Sequence, residues 1–352
     1  MSALIEVLDQ HRFDAAALVH YLADALEAFE PPARIRQYQG GHSNPTFLIE
    51  HAGGRLVLRK QPPGPLLAKA HQIDREFRVM SALAGSGFPV PRMLHHCTDP
   101  GIIGTPFYAM SHVDGVIASH PALPEVRMRD RSAVWQDAIR TLARLHQLDW
   151  RRLGLSGFGR PDGYAARQIK TWSTQYAASQ TAHIPAMDAL AAWLQANCPT
   201  DDPAAITHGD YRIGNLVLAP EAPHISAVLD WELSTIGHGT ADLAYCLMPY
   251  RLGHDGRAAP GLVGLDLNAE GLPDEADLVA LYAAERGLSE IRDWPFFQAL
   301  AIFRLAAIVQ GVYARALKGN ASSLSARETG SRVPVLAEAG LTVIAAARSR
   351  SL

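Results

Sequence analysis

The stretch His208-Gly209-Asp210-Tyr211-Arg212-Ile213-Gly214-Asn215 narrows the choice of fold more than any other part of the chain. Two short apolar runs follow it, Leu216-Val217-Leu218 and Ile225 to Leu229, on either side of Pro220 to Pro223, and then comes Asp230. Runs this short, separated by turn-forming residues, read as the strands of a hairpin. Such a hairpin carries Asn215 and Asp230 to one edge. Asp210, Asn215 and Asp230 then offer, in order, a carboxylate, an amide oxygen and a second carboxylate. Phosphoryl transfer needs this set: a carboxylate that orients the acceptor hydroxyl and takes its proton, an oxygen ligand for Mg²⁺, and a carboxylate joining that metal to nucleotide phosphates. Mg²⁺ prefers hard oxygen ligands and is commonly held by one or two carboxylates plus phosphate oxygens. Asp210, Asn215 and Asp230 are therefore the candidate catalytic residues, and Asn215 and Asp230 the candidate metal ligands.

The rest of the 352-residue chain divides by hydrophobic period. Leu18, Leu22, Leu26 and Phe29 give residues 14–29 a helical stripe that stops at Pro31-Pro32. Phe47-Leu48-Ile49 and Leu56-Val57-Leu58 flank His51-Ala52-Gly53-Gly54, which predicts a β-hairpin. A helix over 68–84 and strands over 88–94 and 105–110 complete a small helix-plus-sheet unit, residues 1–110. From residue 116 onwards the pattern is mostly helical, with helices expected over 131–149, 163–180, 184–196, 274–286, 295–317 and 333–347. The hairpin within 206–233 is the exception, and 319–332 reads as a polar loop.

The H-G-D-x-x-x-x-N loop with Asp230 beyond it resembles the phosphotransferase family that includes aminoglycoside phosphotransferases and choline kinases. That resemblance implies an α+β, bilobal protein-kinase-like fold: a small β-sheet N-lobe (1–110) that binds nucleotide, a hinge (111–115), and a larger, mainly helical C-lobe (116–352) for catalysis and the acceptor. It implies ATP and Mg²⁺ as cofactors and a small-molecule hydroxyl acceptor as partner. Gln39-Gly40-Gly41-His42-Ser43-Asn44 lies where the family has its phosphate loop, so Gly41, Ser43 and Asn44 become nucleotide-binding candidates; a plain hairpin turn reads equally well. The family places a Lys on the next strand, paired with a Glu on the following helix. Here Arg59 takes the Lys position, with Lys60 beside it and Glu76 as the partner. Adjacent strand residues point to opposite faces, so only one of the two cations can serve, and Arg59 is preferred. Met110 and His112, within Phe107 to Gly115, fit an adenine-binding hinge; an ordinary edge strand and turn is the alternative. Asp242 corresponds to the family's Asp that holds the catalytic loop, and His208 is expected to brace that loop. Arg167, Lys170, Arg304 and Gln310 put polar groups among helical apolar residues, where they either bind an anionic acceptor or satisfy each other.

Val57 to Lys60, His71 to Leu83, Gly163 to Trp172 and His208 to Trp231 are similar to the kinase-like domain of acyl-CoA dehydrogenase family members 10 and 11. That subgroup implies phosphorylation of a hydroxyacyl-CoA, with an acyl-CoA dehydrogenase as a pathway partner. An aminoglycoside or amino-alcohol kinase, and a nucleotide-binding pseudokinase that regulates a partner, are the competing expectations; Arg59 in place of Lys is the feature favouring the last.

Charge and composition remove other classes. With 35 acidic against 32 basic residues the net charge is −3, which offers no surplus to neutralise a nucleic-acid backbone. Cys97, Cys198 and Cys246 form no C-x-x-C pair, so neither a disulfide framework nor a zinc site is expected. The apolar stretch around 296–317 is interrupted by Arg304, Gln310 and Arg315, which suits a buried helix better than a membrane span. A cytoplasmic location is expected, with no membrane or nucleic-acid partner.

Overall fold

The computed structural model describes residues 4–39, 44–62, 73–201, 203–318 and 329–350; Gly41 and Ser43 lie outside them. Along the chain come β1 (Leu4–Ile5), α1 (Ala15–Ala25), β2 (Ala33–Tyr38), β3 (Thr46–His51), β4 (Gly54–Lys60), α2 (Ile73–Ala84), β5 (Met93–Cys97), β6 (Phe107–Ser111) and β7 (Val116–Ile117). Then follow α3 (Met128–Gln147), α4 (Tyr164–Ser179), α5 (Pro185–Ala196), β8 (Ala204–Thr207), β9 (Leu216–Leu218), β10 (Ile225–Val228) and β11 (Thr235–His238). The last elements are α6 (Gly239–Leu247), α7 (Glu275–Glu285), α8 (Trp294–Leu317) and α9 (Arg332–Arg350). These pack as two compact units, one of residues 1–118, 151–155 and 215–234, the other of 119–150, 156–214 and 235–352. The combination of a β-sheet unit and a mainly helical unit is the α+β kinase-like fold expected.

In the first unit six strands form an antiparallel sheet in the order β1-β2-β3-β4-β6-β5. The β3–β4 hairpin closes at His51 opposite Gly54, whose φ of +138° suits only glycine. Strand alternation then sorts the side chains. Leu56, Leu58, Phe107 and Ala109 join Leu18 and Leu22 of α1 in a buried core on one face. Arg59 pairs with Tyr108 across β4 and β6 and so lies on the opposite face, whereas Lys60 pairs with Phe107 on the α1 side. A second, three-stranded sheet runs β10-β9-β7. The strand expected from Phe88 begins instead at Met93: Pro89 and Pro91 have no N–H to donate, and 88–92 stays irregular.

The second unit holds α3 to α9 and the β8–β11 pair. Its core joins Ile169, Met187, Leu190, Phe297, Ile302 and Leu336 from α4, α5, α8 and α9. Gly340 lets α9 pack closely there, because a Cβ would lie 2.7 Å from Leu190 Cδ2. Helix α8 is long and apolar enough to cross a membrane, as is 329–349, yet 67% of its most apolar window is buried. Helix α6 carries no amphipathic signal because almost every one of its residues is buried, so periodicity does not reveal it.

Because Leu190 is wholly buried between these helices, Leu190→Ala is expected to cost about 2–5 kcal/mol of stability, read as a lowered urea midpoint.

Candidate active site

The first unit buries a carboxylate under its sheet. Glu76 on α2 is fully enclosed, and three side chains reach it. Asn44 Nδ2 donates to Oε1 at 3.0 Å and the Tyr108 hydroxyl donates to Oε2 at 2.7 Å. Arg59 Nε lies 3.3 Å from Oε2, an ionic contact without hydrogen-bond alignment. The same guanidinium donates through Nη2 to Asp230 Oδ1 at 2.7 Å and sits 3.6 Å from Glu232 Oε2. Burial opposes the charge on Arg59, but Glu76 and Asp230 hold its pKa above the ordinary arginine value. Burial pushes the Glu76 pKa up to about 7, against the pull of Arg59 and the Tyr108 hydroxyl. Lys60 is buried on the other face with Nζ 5.2 Å from the Phe13 ring centroid, and desolvation lowers its pKa.

Asn215 and Asp230 are brought together by the β9–β10 hairpin. Leu216 pairs with Val228, and the Leu229 N–H donates to the Asn215 carbonyl at 2.9 Å, so the two candidate metal ligands flank one hairpin end. Asp230 adopts φ +68°, a left-handed conformation that Asp tolerates better than most residues. Trp231 behind it is buried edge-on against Phe88 and anchors that turn. Asp230 Oδ1 is taken by Arg59, while Oδ2 has no protein partner among the described residues and the side chain is 32% exposed. An amide oxygen and an open carboxylate oxygen at one hairpin end are hard donors of the kind Mg²⁺ prefers, so the residues present fit that ion.

In the second unit Asp210 sits on a loop fixed from beneath. The buried Asp242 carboxylate on α6 accepts from the His208 N–H at 2.6 Å and the Gly209 N–H at 2.9 Å. His146 Nε2 approaches the same carboxylate at 3.4 Å, and His146 Nδ1 is 2.6 Å from the Tyr282 hydroxyl. Burial would raise the Asp242 pKa, but these donors bring it below the ordinary value. The His208 ring accepts from the Asp210 N–H at 3.1 Å, and Gly209 at φ +83° permits the turn. Asp210 itself lies 3.3 Å from Arg212 Nε and is hydrogen-bonded to the Tyr245 hydroxyl, whose pKa burial and then Asp210 push upward.

Met110 is buried on β6. His112 is half-buried, 3.6 Å from Asp114, with a pKa lowered by burial and then by Arg55. Arg167 is spent on the Asp162 and Arg160 carbonyls, and Gln310 on Ser179 and Thr181. Lys170 lines a cavity of about 420 Å³ with Ser173, Thr174 and Gln195. Sequence reasoning does not reach Tyr108, Glu232, Tyr245 or Tyr282. The pairing of Tyr108 with Arg59 in strand register and the one-turn spacing of Tyr245 from Asp242 are the signals that could have found two of them.

Residues 34–279 match the model of the phosphotransferase enzyme family. The chain belongs to that family. It is 47% identical over 349 residues to acyl-CoA dehydrogenase family member 11 of Gallus gallus, covering 96% of this chain and 44% of that protein. It thus spans less than half the length of the curated relatives it matches. A Ralstonia eutropha protein assigned as an aminoglycoside phosphotransferase superposes with a TM-score of 0.85 at 39% identity, covering 94% of this chain and 98% of the other. The spectinomycin phosphotransferase solved with ADP and spectinomycin shares the fold, with a TM-score of 0.61 at 10% identity, covering 94% of this chain and 98% of the other. In this phosphotransferase the candidate loop of His208 to Asn215 is pinned by Asp242.

A Glu76 pKa raised from 4.5 to about 7 means that between those values the folded chain keeps a proton the unfolded chain releases. Stability therefore falls as pH rises through that window. Glu76→Gln is expected to flatten this slope, measured as unfolding free energy in urea at several pH values. An unchanged slope would assign the titration elsewhere.

Proposed function

We propose that this phosphotransferase is an ATP- and Mg²⁺-dependent small-molecule kinase that transfers the γ-phosphoryl group to a hydroxyl acceptor, a hydroxyacyl-CoA. The observation that carries the reading is the convergence of Asn215 and Asp230 on one hairpin end, immediately downstream of the braced Asp210 loop. Asn215 and Asp230 would hold Mg²⁺, which, when bound, offsets negative charge on the nucleotide phosphates. Arg59, kept charged by Glu76 and Asp230, is available to phosphate oxygens as a planar fork. Asn44 supports this cation indirectly by donating to Glu76, while Gly41 and Ser43 would present the loop before it to phosphate. Met110 and His112 would flank the adenine. Asp210 orients the acceptor hydroxyl and accepts its proton as the oxygen attacks; the Tyr245 hydroxyl and Arg212 fix the direction of its carboxylate.

The acyl-CoA assignment is supported by the relatives named acyl-CoA dehydrogenase family member 11. Phosphorylation would turn the acceptor hydroxyl into a leaving group for a later rearrangement or elimination, with an acyl-CoA dehydrogenase as partner and the cytoplasm as location. One observation favours a nucleotide-binding pseudokinase instead: Arg59 engages Asp230 Oδ1 directly.

Asp210→Ala is expected to lower turnover by about 10²- to 10⁴-fold while Mg-ATP binding persists; full transfer to the acceptor in that variant would remove Asp210 from the reaction. Asp230→Ala is expected to weaken Mg-ATP binding itself in a calorimetric titration, and unchanged affinity would take Asp230 out of the metal site. Turnover screened across hydroxyacyl-CoAs, amino sugars and amino alcohols separates the kinase from the pseudokinase, which would bind Mg-ATP and consume none.

A further inference from the structure

Of the four polar side chains set among the apolar helices, Arg304 is the one whose position points at the acceptor. It projects from α8, and its guanidinium carbon stands 4.9 Å from the Tyr245 ring centroid and 5.3 Å from that of Trp172. Trp172 is held in turn by its indole N–H, which donates to Gln168 Oε1 at 2.8 Å. Tyr245 is the residue hydrogen-bonded to Asp210. One aromatic ring therefore separates Arg304 from the carboxylate that addresses the acceptor hydroxyl.

Arg304 is half-buried, and part of its guanidinium lacks a protein partner. Its Nε is buried without a hydrogen-bond partner, and no carboxylate pairs with it among the described residues. Arg167 and Gln310 are consumed by backbone and hydroxyl acceptors, as shown above, so the alternative that these groups satisfy one another does not extend to Arg304. Asp210, Arg304 and Arg212 all act on the Tyr245 hydroxyl, the carboxylate raising its pKa and the two cations lowering it. Asp210 is already engaged by Arg212 and the Tyr245 hydroxyl, so it gives Arg304 no ion pair of its own. Aromatic rings cover the guanidinium by cation–π contact, which leaves its N–H edges for a planar acceptor. Two parallel N–H···O bonds to a carboxylate or phosphate match that edge.

The geometry points to Arg304 as the specificity residue for the acceptor: it binds an oxyanion, carboxylate or phosphate, on the molecule whose hydroxyl meets Asp210. The inference rests on the kinase reading and narrows it to anionic acceptors. It sets the chain against cationic amino sugars and amino alcohols, which Arg304 and Arg212 would repel.

The test is equilibrium binding to the full chain, without turnover, of 3-hydroxybutyrate, 3-hydroxybutyryl-CoA, 3-hydroxybutyramide and choline. The wild type is expected to prefer the two anions over the neutral amide and the cation. Arg304→Gln should weaken the anions by about 10- to 100-fold, the range of one charge-assisted pair, and leave the amide unchanged. Arg304→Lys should restore part of the loss, since a point charge replaces the fork. Loss confined to the free acid identifies a carboxylate as the bound group; loss confined to the thioester identifies the CoA phosphates. Mg-ATP affinity, measured on each variant, reports that the fold is intact. An absence of anion preference in the wild type, or variants that match it on every probe, would overturn the inference. A wild-type chain that binds anions through Arg304 yet consumes no ATP would instead overturn the kinase reading alone.

Discussion

A carboxylate taken out of water has to be given donors, and two buried carboxylates organise this protein around that requirement. Glu76 gathers Asn44, Tyr108 and Arg59 in the first unit. Asp242 gathers the His208 and Gly209 amides and His146 in the second. Each joins elements far apart in sequence, and each fixes a candidate site group. Glu76 sets the position of the Arg59 guanidinium, and Asp242 sets the backbone on which Asp210 rides. Removing either carboxylate would leave several buried donors unpaired at once, so both loci are costly to alter, although neither carboxylate need touch a substrate.

The arginine at position 59 changes how the first of these works. An ammonium would offer a point charge to Glu76. A guanidinium reaches Glu76 through Nε and Asp230 through Nη2 at the same time, with Glu232 within 3.6 Å. The fork therefore ties α2 to the hairpin end that carries Asp230, something Lys60 cannot do from the opposite face of β4. The same tie occupies one oxygen of Asp230 and leaves the other open. Under the proposed kinase reading, phosphate oxygens at Arg59 would compete with Asp230 for the guanidinium and release Oδ1 as well.

Much of this was legible in the sequence because it is local. The Asp210 loop, the hairpin that carries Asn215 and Asp230, and the alternation that separates Arg59 from Lys60 are all spacing arguments, and spacing survives into structure. What escaped is contact between distant elements. Helix α6 is buried on nearly all sides, so it shows no polar face to mark its period. Tyr245 and Tyr282 look like core aromatics until the hydroxyls are seen to meet Asp210 and His146. The start of β5 was read too early because apolar residues at 88 and 90 outweighed the prolines between and after them, and the missing N–H groups decide the matter.

The arginines themselves make the remaining step of the argument. Arg59 is surrounded by carboxylates, Arg167 is closed by two carbonyls, and Arg212 lies against Asp210. In each case the protein supplies the electronegative partner its guanidinium requires. Arg304 is given only aromatic faces, which cover a cation without neutralising it. Under the proposed reading, Arg304, beside the Tyr245 that meets Asp210, would be the cation open to an oxyanion on the acceptor.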